Sequence, residues 1–355
     1  MHGLESLGFD PCFEAQLPDC EAIPARVAGE HRHGYTVWTD SSEGFARLSG
    51  RLMRALDDEA HPGVGDWVTL KEALVPGHTA IVDRLLARRT VFTRGAAGRE
   101  SRRQVIAANV DIVFIVCGLD GDYNVHRIQR YLARIRASGA RPMVILNKTD
   151  VCDNGGSRAS EVEQAAPGVQ VLTTSAALGH GLEQIAEQLR PGMTAAFVGS
   201  SGAGKSTLIN ALLGEDRLRT GAIRASDSHG RHTTSQRQMV VFPSGGLLID
   251  TPGMRELALF DEEGIGAVFS EIEELAVRCR FRDCTHQSEP GCAVRHAVEA
   301  GLISSDRAEC YLTMRAEARA DELRHDERLR RQSERAVGRQ RATDSKLIQR
   351  WKEGG

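Results

Sequence analysis

The sequence predicts a multidomain chain: an N-terminal β-barrel of the OB type, a central α/β domain built around a phosphate-binding loop, and a C-terminal α-helical segment that binds zinc. Three observations predict it. Five short strand-like runs, separated by Gly, Pro, Asp and Ser, fill residues 23–85. From Val110 the pattern alternates strand and helix. Three of the eight cysteines fall within the fourteen residues from Cys279 to Cys292. At 355 residues the chain exceeds one ordinary core. Its 41% hydrophobic and 26% charged residues are those of a globular protein and exclude wholesale disorder. A net charge of −3 leaves no global basic field, so any nucleic-acid contact must come from local patches.

Residues 1–20 are expected to form a flexible N-terminal arm. They have neither the basic start nor the apolar stretch of a secretory signal. No apolar run approaches the roughly 20 residues that span a bilayer. The expected compartment is the cytoplasm, where thiols stay reduced, and no membrane partner is expected. The cysteines are then free, metal-bound or catalytic.

The barrel is expected over 21–92, with strands at Ile23–Gly29, Gly34–Thr39, Gly44–Leu48, Asp66–Leu70 and Thr79–Leu85. Propensity alone leaves an SH3-like barrel open. A connector follows in which residues 84–103 hold seven arginines and one acid, for a net of +6. It reads either as a solvated linker or as a surface that contacts RNA backbone.

The α/β domain is expected over 93–262. Asp111–Cys117 is a continuous apolar run, as in a strand buried on both faces. Val125, Ile128, Leu132 and Ile135 share one helical face. Strands are expected at Met143–Leu146, Val169–Thr173, Thr194–Val198, Met239–Phe242 and Leu247–Ile249, and helices at Leu182–Leu189 and Lys205–Leu213.

Gly199-Ser200-Ser201-Gly202-Ala203-Gly204-Lys205-Ser206 matches G-x-x-x-x-G-K-[ST] between a predicted strand and a predicted helix, the context the motif requires. Its glycines let backbone N–H groups curl around phosphates at a helix N-terminus. Lys205 reaches the β- and γ-phosphates, Ser206 ligates Mg²⁺, and Thr207 touches the α-phosphate side. The motif says nucleoside triphosphate without choosing the base.

The base is chosen by Asn147-Lys148-Thr149-Asp150, after the strand Met143–Leu146. A carboxylate there can accept hydrogen bonds from guanine N1–H and N2–H₂, a donor pair that adenine lacks, and would lie unpaired beside the wrong base. Lys148 can lay its stem along the base plane. Thr174-Ser175-Ala176 ends another strand, where the Ala176 N–H can reach guanine O6. Asp250-Thr251-Pro252-Gly253 closes the strand Leu247–Ile249. Asp250 is expected to hold Mg²⁺ through water, and the Gly253 N–H to sense the γ-phosphate.

These elements run in an unusual order, with base reading before the phosphate loop and Asp250 last. Ordinary GTPases begin with the phosphate loop. The central domain therefore reads as a circularly permuted P-loop GTPase, with residues 188–194 joining the old termini.

With these motifs the chain resembles a family: the ribosome small subunit-dependent GTPases, circularly permuted GTPases of bacterial ribosome assembly. The resemblance covers roughly residues 20–310. It rests on Ala108-Asn109-Val110-Asp111, Arg130-Tyr131-Leu132, Asn147–Asp150, Gly199–Thr207, Gly230-Arg231-His232-Thr233-Thr234, Asp250–Gly253 and the cysteine cluster. It implies an OB domain, a permuted GTPase and a zinc domain. It also implies GTP hydrolysis stimulated by the 30S subunit late in small-subunit maturation, with 16S rRNA as a contact and GTP and GDP as ligands. The chain is expected to be a monomer.

Thr233 or Thr234 is expected to complete the Mg²⁺ shell. The position after the Asp-x-x-Gly element, a glutamine in many GTPases, is Met254, which cannot orient water. Intrinsic hydrolysis is expected to be slow. His232 is expected to position the attacking water once the ribosome orders its loop, as the resemblance also implies; the other reading is a solvated or ribosome-contacting histidine.

Cys279-x₄-Cys284-x-His286-x₅-Cys292 offers three thiolates and one imidazole, a closed set for one structural Zn²⁺ over residues 263–320. Disulfide pairing is the alternative. Cys310 lies outside the spacing, and Cys117 belongs to a core strand. Residues 321–355 form a charged helical extension that the resemblance does not match. Its part from Arg328 carries nine Lys or Arg and three acids. Two rival functions are an RNA-binding scaffold that holds GTP with little turnover and a P-loop ATPase, which Asp150 disfavours.

Overall fold

The computed structural model describes residues 3–19, 21–56, 61–95, 103–215, 238–250 and 262–320, with 322–323 and 330. The barrel strands are β1 (Ile23–His31), β2 (Gly34–Trp38), β3 (Glu43–Leu48), β4 (Trp67–Leu70) and β5 (Thr79–Leu85). They pair in the order β1-β2-β3-β5-β4, and β1 also pairs with β4, which closes the barrel. β3 and β5 run parallel, and a short helix, α2 (Gly50–Ala55), lies between β3 and β4. This closed five-stranded arrangement decides for the OB-type barrel. Alternate residues fill its interior, among them Ala25, Val27, Val37, Val68 and Val82.

The N-terminal arm departs from expectation. Its described residues 3–19 are packed. A 3-10 turn (Leu4–Leu7) and a short helix, α1 (Pro11–Glu14), bury Leu7 and Phe13. Phe9 and Phe13 lie against Trp67 of β4. Gly192 N–H donates to Ser6 O at 3.0 Å, so the arm rests on the segment that joins the permuted halves. Leu4, Leu7, Phe9, Phe13 and Leu17 pack against the core, but their spacings of three, two, four and four keep no single helix or strand period, which is why the packing is invisible in sequence.

The arginine connector is also more than a linker. β6 (Val91–Gly95) and β7 (Arg103–Ala108) form an antiparallel hairpin. Arg88 donates to both oxygens of the fully buried Asp66 at 2.8 Å. Arg89 pairs with Asp10 at 2.6 Å and lies over Phe13. These two arginines fasten arm, barrel and central domain together, Arg89 also lying 3.6 Å from Asp111. Arg84 stays exposed beside Asp83.

The central sheet has the order β10-β9-β8-β11-β13-β12, with β8 (Ile112–Gly118), β9 (Arg141–Asn147), β10 (Gln170–Thr173), β11 (Thr194–Val198), β12 (Gln238–Val241) and β13 (Leu247–Asp250). All are parallel except β12. β8 is buried throughout because both faces are covered. Val113, Ile115 and Cys117 join one core; Ile112, Phe114 and Val116 join the other. Helices α3 (Val125–Ala137) and α4 (Gly155–Ala165) cover the first face, and α5 (Leu182–Ala186) and α6 (Lys205–Leu213) the second. α3 buries Ile128, Leu132 and Ile135, as its periodicity predicts. α4 escaped the sequence reading because it opens on Gly155-Gly156 and buries little besides Val162.

Barrel and sheet are continuous: β1 pairs with β12 through Gly29 and Gln238. At the same junction Arg26 is fully buried and donates to the carbonyls of Leu7, Gly65 and Asn109.

The C-terminal module comprises α7 (Glu262–Val268), α8 (Ser270–Ala276), α9 (Ala293–Glu299) and a helix over 305–320. α7 seats on α3 so closely that a Cβ at Gly264 would lie 2.2 Å from Ala133 O. Arg130 makes a two-pronged ion pair with Glu317 at 2.9 and 3.0 Å. Among the described residues, no helix is long and apolar enough to cross a membrane.

Candidate nucleotide site and metal centre

The described signal segments lie at one edge of the central sheet. Parallel register puts Asn147 beside Gly118 and Thr173 beside Leu146, and the pairing of β11 with β8 and β13 continues the line. Asn147–Asp150 follows β9, Thr174–Ala176 follows β10, Gly199–Thr207 follows β11, and Asp250 ends β13. Ligands of open α/β sheets bind outside the carboxyl ends of the strands.

The phosphate loop adopts backbone that only glycine takes easily. Gly199 has φ 142° and Gly204 φ 93°. A Cβ at Gly199 would lie 2.1 Å from Val116 O, and one at Gly204 2.3 Å from Asn147 Nδ2. Lys205 is buried, and its Nζ donates to Gly199 O at 2.8 Å and to Ser200 O. Its ammonium is thereby held against the loop it closes. Ser206 and Thr207 occupy the first turn of α6.

Asn147 ties the base-reading loop to the phosphate loop. Its Nδ2 donates to Ala203 O at 3.0 Å. Its Oδ1 accepts from Thr174 Oγ1 and Ala176 N, both at 3.1 Å. The Ala176 N–H, assigned from sequence to guanine O6, therefore faces Asn147 here. Ser175 Oγ donates to Asp150 Oδ1, which fixes the carboxylate. Lys148 takes a left-handed φ of 68° and its Nζ donates to Asp120, whose carboxyl this bond holds below the usual range. His232, Thr233, Thr234, Gly253 and Met254 lie outside the described residues, as does Cys20.

Sequence reasoning missed Asp120 and Asp122, in the loop between β8 and α3. Asp122 accepts from Ser200 Oγ of the phosphate loop and pairs with Arg127 at 2.8 Å. The available signal was position alone: Gly118-Leu119-Asp120-Gly121-Asp122 directly follows a buried strand.

The cysteine cluster closes as its spacing predicts. The four ligand atoms of Cys279, Cys284, His286 and Cys292 lie within 4.8 Å of one another. Cys279 and Cys292 Sγ are 3.9 Å apart, and His286 Nδ1 lies 3.6 and 3.4 Å from them. Tetrahedral Zn²⁺ with ordinary bond lengths requires edges of about 3.8 Å between sulfurs and about 3.6 Å from sulfur to nitrogen. The cluster fits a zinc site and leaves no open position. Burial lowers the His286 pKa and favours the neutral, ligating imidazole. Cys292 caps α9, accepting from Arg295 N–H at 3.4 Å. The ligand loop is held by Glu289, which accepts from the N–H groups of Thr285, Gln287 and Ser288. Cys310 packs beside Met314 and takes no part.

A family model described as RsgA GTPase matches residues 85–260. A second, described as ABC transporter, matches residues 182–343, a span that holds the phosphate loop but not Asn147–Asp150. The small ribosomal subunit biogenesis GTPase RsgA of Opitutus terrae is 44% identical over 327 residues, covering 88% of this chain and 89% of its own. The protein of that name from Xylella fastidiosa strain 9a5c is 46% identical over 298 residues, 83% of this chain and 85% of its own. The crystal structure of YjeQ from Thermotoga maritima superposes with a TM-score of 0.62 at 27% identity, covering 84% of this chain and 98% of that one. YloQ, described as a circularly permuted GTPase, superposes with a TM-score of 0.60 at 23% identity, 84% of this chain and 96% of its own, a likeness of fold.

Proposed function

Because the chain belongs to the RsgA GTPase family, we propose that it binds the 30S ribosomal subunit and hydrolyses GTP in a subunit-stimulated manner during late small-subunit maturation, nucleotide state setting binding and release. One observation carries the reading. Asn147 Nδ2 donates to Ala203 O, which joins a guanine-reading loop to a phosphate loop 56 residues later. Nothing in a general phosphate-binding protein requires that bond.

In this reading Asp150 accepts from guanine N1–H and N2–H₂, with Ser175 holding the carboxylate, and the Lys148 stem covers the base. Thr149 and Ala176 complete the base pocket. The N–H groups of Gly199–Thr207 surround the phosphates, and Lys205 neutralises charge on the β- and γ-oxygens. Ser206, with Thr233 or Thr234, ligates Mg²⁺, and Asp250 holds it through water. Bound Mg²⁺ offsets charge developing on the phosphate oxygens. The Gly253 N–H reads the γ-phosphate, and His232 positions the attacking water. Cys279, Cys284, His286 and Cys292 hold one structural Zn²⁺.

The proposed units are a barrel over 21–92 that contacts 16S rRNA, a GTPase over 93–262, a zinc module over 263–320 and a charged extension over 321–355. The protein works as a cytoplasmic monomer.

Met254 favours a second reading, a scaffold that holds GTP with little turnover. Phosphate release measured with 30S subunits, 50S subunits and no ribosome separates the two. Stimulation by 30S alone supports the GTPase reading, and none supports the scaffold. Adenine nucleotides competing as well as guanine ones would refute both. His232→Ala should abolish the stimulated rate and leave nucleotide affinity intact.

A further inference from the structure

The loop of residues 119–124, between β8 and α3, belongs to none of the motifs, yet it touches both halves of the nucleotide site. Its place is the first reason to look at it. From β8 the chain lays down β9 and β10 on one side; from β11 it lays down β13 and β12 on the other. The crevice between the carboxyl ends of β8 and β11 is therefore the topological switch point, where open α/β sheets bind ligands. The phosphate loop forms one wall of that crevice, and this loop forms the other.

Its side-chain bonds are the second reason. Asp120 Oδ2 accepts from Lys148 Nζ in the base-reading loop. Asp122 Oδ2 accepts from Ser200 Oγ in the phosphate loop, while its Oδ1 accepts from Arg127 at 2.8 Å. The loop that presents these carboxylates is itself fixed. Leu119 N–H donates to Asn147 O at 2.8 Å, Tyr123 N–H to Asp120 O at 3.2 Å, and Asn124 caps α3 by accepting from Arg127 N at 2.9 Å. At Gly118 a Cβ would sit 2.7 Å from Asp120 Oδ1 and 3.5 Å from Lys148 Cδ, so the contact is close-packed.

We infer that Asp120 and Asp122 are positioning residues for the nucleotide, one anchoring the lysine that covers the base and the other the second residue of the phosphate loop. The inference rests on the guanine-site reading above. A lysine stem samples many rotamers when free; with its ammonium fixed on Asp120, the stem is ordered before the base arrives. A bare carboxylate beside bound phosphates would repel them. Arg127 neutralises Asp122, which leaves it able to hold Ser200.

The test titrates fluorescently labelled GDP into the full-length protein, with thermal midpoints recorded for every variant. Asp120→Asn, which keeps shape and removes charge, and Lys148→Ala should each weaken GDP about three- to fivefold, as expected for a partly exposed ion pair. The double variant should be no weaker than Lys148→Ala alone. Neither change should alter the ratio of GDP to IDP affinity, because neither touches the base edge. Asp122→Ala and Ser200→Ala should be non-additive in the same way. Asp150→Asn, run alongside, should shift preference from guanine toward xanthine nucleotides. If it does not, the guanine-site reading fails. If it does, but Asp120→Asn is silent or adds fully to Lys148→Ala, the positioning role is refuted for Asp120; full additivity of the second pair refutes it for Asp122.

Discussion

Replacing Arg26 by methionine keeps the stem and deletes the guanidinium at the junction of arm, barrel and GTPase domain. Burial holds the Arg26 pKa down to about 10 from 12.5, so housing the charge costs about 3 kcal/mol. Against that stand its bonds to Leu7 O, Gly65 O and Asn109 O, and its place over Trp67 at 5.4 Å. Gly65 O keeps a second donor, Asn109 Nδ2 at 3.1 Å. The other two carbonyls would be stranded, at about 1–3 kcal/mol each. The lost stacking adds about 1 kcal/mol. The gain from releasing the buried charge is smaller than these losses, and the net is a destabilisation of about 2 kcal/mol. Scanning calorimetry should report a midpoint lowered by about 3–5 °C. The arm should also become cleavable by protease at its described residues. An unchanged or raised midpoint would mean that desolvation outweighs the bonds, and the junction would then owe its stability to packing alone.

Gly65→Ala attacks the same junction sterically, since its Cβ would lie 2.1 Å from Ala108 O at a φ of +95°; thermal unfolding should show a loss of about 2–4 kcal/mol. Gly204→Ala should abolish binding of labelled GDP while the protein stays folded by circular dichroism, because the new methyl would displace Asn147. His286→Ala should remove zinc as measured by elemental mass spectrometry and lower the thermal midpoint, and a chelator should reproduce that shift in the unaltered protein but not in the variant.

Much of the site was legible because its signals are local. The phosphate loop needs glycines at fixed spacing, the zinc ligands fall within fourteen residues, and a strand covered on both faces reads as an unbroken apolar run. The barrel strands were legible for the same reason, since alternation and turn residues are short-range. What stayed hidden depends on partners far away in the chain. Arg88 and Arg89 look like surface charge until Asp66 and Asp10 are brought to them. Arg130 meets Glu317 across 187 positions, and Asp122 meets Ser200 across 78. No periodicity marks such residues, and only the sheet order reveals that the loop after β8 faces the phosphate loop.

The pairing of Gly29 with Gln238 has a practical side. β12 is the outermost strand of the central sheet, and β1 covers the start of its open flank. A fragment trimmed of the barrel would bare those backbone groups to other molecules, an invitation to edge-to-edge clumping. Lost turnover in such a truncation would then report a sticky margin as readily as a missing ribosome contact, so the barrel's share in the reaction is better measured by point changes on its far side.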